Sequence, residues 1–246
     1  MKTILSIFTL LFFSFVSGQS DLVSTSEGAL KINPIHHGSI VFEFDGKTIY
    51  IDPHGGVERY TSLPKPDLIL ITDIHGDHMN KGMLEALDTK GAEIITAQAV
   101  ADQLRDIYGD KITVIDNGEK LVWSGIQITA IPMYNLPETV ESRHPKGRGN
   151  GYILTFDDKQ VYISGDTEDI PEMRRLKDID VAFVCMNLPY TMDVDQAASA
   201  VIEFSPKIVY PYHYRGQGGL SDVDKFKRLV NEGNDQVEVR LRGWYD

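Results

Sequence analysis

The chain has 246 residues, 24 Lys and Arg against 36 Asp and Glu, a formal net charge of −12 and one cysteine. So acidic a surface repels phosphate backbones and argues against a nucleic-acid partner, and a lone cysteine excludes an internal disulfide framework. The length suits one large domain with a substantial core.

Residues 1–18 read as a secretory signal: Lys2, an apolar run over 4–16, then the small-residue exit Val16-Ser17-Gly18. The run is short for a bilayer span, and no later stretch is long enough, so stable membrane insertion is not expected. We expect an exported protein, periplasmic or secreted, with residues 19–246 forming a single domain.

The spacing predicts strands over 39–44 and 47–51, joined by Asp45-Gly46, a strong hairpin signal. A buried strand follows over 68–71, then an amphipathic stretch at 83–87, a strand over 93–96 and a helix over 97–108 stopped by Gly109. Two more hairpins pair 121–123 with 126–131 and 152–156 with 160–164. Between them, residues 132–151 form a long loop rich in Pro, Gly and charge, a length that inside a compact domain is usually functional. A short helix over 171–176, a strand over 181–185 that buries Cys185, a helix over 193–205, a strand over 208–210, a helix over 221–231 and a strand over 237–241 finish the chain. Each half supplies one sheet with helices for one face only, which predicts a four-layer αββα sandwich.

The strand over 68–71 empties into Asp73, His75, Asp77 and His78, four metal-ligand types within six residues. Side chains two apart in extended chain point the same way, so the first three converge while His78 reaches a neighbouring point. One such residue alone reads as solvated loop; four at this spacing, with more His and Asp downstream, read as a centre for one or two cations.

These residues, together with His144, with Asp166 in Ser164-Gly165-Asp166-Thr167 and with His213 in Pro211-Tyr212-His213-Tyr214, resemble the metallo-β-lactamase superfamily. Ile51-Asp52-Pro53 and His144-Pro145-Lys146-Gly147 are similar to its Zn-dependent hydrolase branch, which includes the L-ascorbate-6-phosphate lactonases. The resemblance implies one metal on His75, His144 and Asp166, with Asp73 in place of the usual first His, and another on Asp77, His78, Asp166 and His213. It implies hydrolysis by metal-activated water, with Asp77 orienting the water and taking its proton. Zinc is the first expectation; a carboxylate at Asp73 moves preference toward manganese or iron.

Further candidates surround this set. Tyr190 is a possible oxyanion donor, or an ordinary amphipathic edge residue. Lys146, Arg148 and Arg215 flank His144 and His213 and suggest a grip on an anionic small-molecule substrate, or plain solvated charge. Asp52 and His54 are candidates to hold the ligands, and His36-His37 to line the rim. The reading is a metallohydrolase acting on a small ester, lactone or amide. Its alternatives are a phosphodiesterase for small phosphoesters, a redox di-iron protein, and a metal-binding protein without catalysis.

Overall fold

A computed structural model describes residues 20–245; the expected signal at 1–18 lies outside them. The first half forms a seven-stranded sheet in sequence order: β1 (Asp21–Ser24), β2 (Ala29–His36), β3 (Ser39–Phe44), β4 (Lys47–Ile51), β5 (Leu68–Ile71), β6 (Glu93–Thr96) and β7 (Ile112–Val114). β1 to β4 run antiparallel, and β4 to β7 parallel. The second half repeats this plan. β8 (Lys120–Trp123), β9 (Ile126–Pro132), β10 (Asn150–Phe156) and β11 (Lys159–Ile163) are antiparallel. β12 (Val181–Cys185), β13 (Ile208–Tyr212) and, after the small hairpin β14 (Arg215–Gly216) and β15 (Gly219–Leu220), β16 (Glu238–Val239) continue it in parallel.

Strand alternation decides the layers. In β4 and β5, Ile49, Ile51, Leu68 and Leu70 join the core shared with the second sheet, whereas Tyr50, Ile69 and Ile71 join a separate cluster. That second cluster is closed by Met83 and Leu84 of α1 (Lys81–Ala86) and by Val100, Leu104 and Tyr108 of α2 (Gln98–Tyr108). Across the sandwich, Phe42 of the first sheet packs at 5.7 Å from Phe156 and 5.9 Å from Phe183 of the second. On the outer side of the second sheet lie α3 (Pro171–Arg174), α4 (Val194–Phe204) and α5 (Val223–Gly233), with Phe204 against Tyr162 at 6.1 Å. The expected αββα order is the order observed.

Local chemistry sets the start of α4. Asp193 accepts from the Gln196 amide at 2.7 Å while Gln196 Oε1 accepts from the Asp193 amide at 3.0 Å, a capping box that starts α4. Cys185 is fully buried, as its apolar run predicts, and burial pushes its thiol up to about 11.

Three expectations change. Residues 21–36, where the sequence predicts no strand, form β1 and β2, because Leu30 and Ile32 alternate inward; Pro34 and a register shift beside it hide that pattern. β7 is a three-residue edge strand, too short to show a period. The last strand shrinks from 237–241 to Glu238–Val239, after which the chain turns back: Trp244 is fully buried, 6.3 Å from Phe183 and 5.8 Å from Tyr212.

Candidate metal centre

The ligand-type residues gather where the parallel strands of both sheets end. Asp52 follows β4, residues 72–78 follow β5, Asp166 follows β11 and His213 follows β13. His144 comes from the long connection between β9 and β10. This loop is pinned across β5: the Asn150 amide donates to Thr72 O at 2.9 Å, and a Cβ on Gly149 would lie 2.4 Å from that same oxygen, so only glycine fits. Gly38 serves the other side, where a Cβ would meet His213 Cδ2 at 3.0 Å.

His78 is fully buried and oriented from behind. Asp52, also fully buried, lies with Oδ2 2.8 Å from His78 Nδ1. A carboxylate only accepts, so Nδ1 carries the proton and Nε2 faces the cluster as the ligating atom. Asp52 also accepts from the Thr72 amide at 2.8 Å and from the Thr72 hydroxyl at 2.6 Å. His144 is set the same way: Asn135 Oδ1 accepts its amide at 2.8 Å and faces its Nδ1 at 3.2 Å, which leaves Nε2, buried and without a hydrogen-bond partner, aimed at the cluster.

Around His78 Nε2 the donor atoms are evenly spaced. His213 Nε2 is 3.2 Å away and Asp166 Oδ2 3.4 Å. His213 Nε2 also lies 3.5 Å from Asp166 Oδ1 and 3.4 Å from Asp77 Oδ2. Tetrahedral coordination at bonds of about 2.05 Å would separate ligand atoms by roughly 3.3 Å. Imidazole nitrogens and carboxylate oxygens at that spacing, with Asp166 Oδ1 buried and lacking a hydrogen bond, fit a divalent first-row ion.

Charge agrees with this. Burial alone would lower the His78 pKa, but the Asp166 and Asp52 carboxylates outweigh it and raise it well above the usual value. Burial would raise Asp166, and the His213 and His78 rings reverse that and hold it well below the carboxylate range. The clustered carboxylates thus favour positive charge at this centre.

Asp73, His75 and His144 form a second group, less even. His75 Nδ1 lies 2.6 Å from Asp73 Oδ2 without an aligned hydrogen bond, and His144 Nε2 is 3.9 Å from the same oxygen but 3.2 Å from Asp166 Oδ2. Burial works to raise the Asp73 pKa, but His75, His78 and Arg148 together lower it.

Asp77, His75 and the residues just described thus come together, whereas the basic residues find other partners. Arg148, expected to meet substrate, instead grips buried Asp73, with Nε 3.2 Å from Oδ1 and Nη2 3.0 Å from Oδ2; a buried carboxylate without a partner is costly, and Arg supplies the fork. Lys146 is likewise engaged, 2.8 Å from Glu172 Oε1 and 4.6 Å above the Tyr134 ring. Arg215 is exposed, with its guanidinium 4.6 Å over Tyr245. Tyr190 is tied to the site through its backbone: its carbonyl accepts from Asn135 Nδ2 at 2.8 Å, and its ring lies 4.4 Å beneath the Arg143 guanidinium.

His37, read only as a rim residue, is part of the wall. Its ring centroid is 3.8 Å from that of His213, its Nε2 is 3.1 Å from Asp77 Oδ2, and its Nδ1 faces Tyr245 Oη at 2.7 Å. The Arg215 amide donates to that hydroxyl at 3.0 Å, so the Tyr245 proton goes to His37 Nδ1 and His37 Nε2–H goes to Asp77. Asn135, Thr72 and Tyr245 carry no local sequence pattern that marks them. Asp52, His37 and His213 have φ of 42°, 55° and 46°, left-handed backbone that costs roughly 1–3 kcal/mol each and clusters at functional sites.

Burial and the neighbouring His213 depress the His37 pKa from 6.5 to about 4, against the pull of Asp77. Between these values the unfolded chain binds a proton that the folded chain does not, so stability present above 6.5 is lost as pH falls toward about 4. Chelated, metal-free protein should therefore show a falling urea midpoint over this window. The pKa values of His36 and His54 are lowered too, so a fall just as large in a His37→Gln variant would show that His37 does not carry the effect.

Comparison with known proteins gives a consistent result. Residues 31–213 match the Beta-lactamase superfamily domain. A protein of Pyrococcus horikoshii named as a UPF0173 metal-dependent hydrolase is 31% identical over 220 residues, 85% of this chain and 95% of that one. A crystal structure from Parabacteroides distasonis, also named as a metal-dependent hydrolase, is 42% identical with a TM-score of 0.79 and covers 92% of this chain and 99% of its own. A metallo hydrolase from Ignicoccus hospitalis superposes with a TM-score of 0.73 at 27% identity, over 86% of this chain and 94% of its own.

Proposed function

Because the chain belongs to the beta-lactamase superfamily and to its metal-dependent hydrolases, we propose that it hydrolyses a small ester, lactone or amide, and that its metal-binding set is drawn from Asp73, His75, Asp77, His78, His144, Asp166 and His213. The observation that carries this reading is the evenly spaced group of His78, Asp166 and His213, with Asp77 beside His213. A divalent ion bound there supplies an activated water near neutral pH and polarises an electrophilic carbonyl.

The chain's own residues do the rest. Asp52 and Asn135 fix the ring orientations of His78 and His144, so that their Nε2 atoms point into the cluster and would hold a bound ion. Asp77 is the acidic group of the set that reaches solvent, 36% exposed, and the donated His37 N–H holds its Oδ2 beside His213. Its pKa is held far below the ordinary value: burial would raise it, and hydrogen bonds from His213 and His37 outweigh burial. Asp77 is therefore ionised and able to orient water by accepting its hydrogen bond, while a pKa held so low makes it a weak base for the proton itself. Arg215, exposed beside Tyr245, is the cation best placed to meet an anionic substituent on the substrate. The reading includes export, on the strength of the sequence at 1–18, and zinc as the first ion to try, with manganese and iron next.

The test is a screen of lactones, esters, amides and small phosphodiesters with zinc or manganese added. The expected outcome is turnover of a carbonyl substrate that EDTA abolishes and added metal restores. Turnover of phosphodiesters alone would favour the phosphodiesterase alternative. Full activity in EDTA, or no metal retained after reconstitution, would overturn the proposal.

A further inference from the structure

The two ligand groups are not equivalent, and the difference lies in a residue outside both. Arg148 sits bidentate on the two oxygens of Asp73, which is fully buried, and its guanidinium is held in place by the Arg143 carbonyl. We propose that Arg148 is a resident cation that takes the place of one metal, so that the protein holds a single divalent ion, in the His78, Asp166 and His213 group. This rests on the reading of that group as a metal centre.

Spacing and charge both support it. The His78 group has donor separations of 3.2 to 3.5 Å, close to the roughly 3.3 Å of a tetrahedral shell. The Asp73 group has 2.6 Å on one side and 3.9 Å on another, so no ion at ordinary bond lengths is shared evenly by Asp73, His75 and His144 as they stand. Asp73 already has its counter-charge: the fork of Arg148 engages both carboxylate oxygens, which weakens them as ligands. A dication added here would also sit near a guanidinium that cannot lose its proton, in a pocket where Asp73 and His144 are wholly buried and screening is weak. His144 borders the occupied group instead, with its Nε2 3.2 Å from Asp166 Oδ2.

The experiment counts metal per chain by elemental analysis after reconstitution with excess zinc or manganese and desalting. Wild type should retain one equivalent, and Arg148→Met, which frees Asp73, should retain two. Two equivalents in wild type would overturn the resident-cation proposal and leave the hydrolase reading intact. None in wild type would overturn both. One or fewer in a folded Arg148→Met protein would make the guanidinium a support for its neighbours rather than a substitute for an ion, and would overturn the proposal as well. Should that variant not fold, zinc-loaded wild-type crystals decide: one anomalous peak in the His78 group with Arg148 still on Asp73 supports the proposal, and a second peak between Asp73, His75 and His144 refutes it.

Discussion

His78→Ala is expected to reduce hydrolysis to background, a loss larger than the 10–100-fold typical of removing an outer partner of a ligand. His78 Nε2 is the atom from which both His213 Nε2 and Asp166 Oδ2 are measured at tetrahedral spacing, so its removal opens the group at its centre. The loss should appear in metal content as well as in rate. It should not be rescued by His75, which is turned toward Asp73. A variant that keeps both its metal and its turnover would remove His78 from the ligand set and with it the central observation behind the proposed function.

Asp52→Ala should be the most damaging change among residues that do not face the ion. It strips the acceptor from Thr72 N, Thr72 Oγ1 and His78 Nδ1 at once, all in fully buried surroundings. Orphaned buried donors cost about 1–3 kcal/mol apiece, and the two closest to the deletion suggest a loss of about 3 kcal/mol. Metal affinity should fall about 10–100-fold because the His78 ring loses its orientation. Urea titration and zinc titration measure the two effects separately. If affinity were unchanged while stability dropped, Asp52 would be a structural acceptor and no part of the metal centre.

Much of the fold is legible in the sequence wherever a strand keeps its period. The 39–51 hairpin, the buried run before Asp73 and the helix expected over 193–205 all appear where residue chemistry puts them. Where the period breaks, as at Pro34 in β2 or in the three residues of β7, the strand is invisible to local reading although tertiary pairing enforces it. The centre divides in the same way. The alternation expected along 73–77 gives way to a bend and turn over 74–78, which leaves Asp73 and His75 beside His144 but puts Asp77 beside His213 and His37, and no local pattern speaks to charge balance. That balance is struck by Arg148, 75 positions away in sequence, and the sequence offered Arg148 only as a cation near His144. His37 is similar: its neighbours suggest a rim, and its place against His213 and Asp77 depends on a backbone turn at φ 55° that no local pattern announces.

The buried Trp244 and the Tyr245 beside it bear on how the protein should be handled at the bench. The backbone oxygen of Trp244 accepts the His37 amide at 3.3 Å, and Tyr245 Oη sits 2.7 Å from His37 Nδ1. An affinity tag fused after Asp246 would begin two residues beyond the ring that steers His37 and, through it, Asp77. A polyhistidine at that end would bring surplus imidazoles close to the ligand group and confuse any count of bound ions. Placing the tag ahead of residue 20 and cleaving it keeps that count clean, and comparing the two arrangements would show how strongly the tail governs the water-orienting carboxylate.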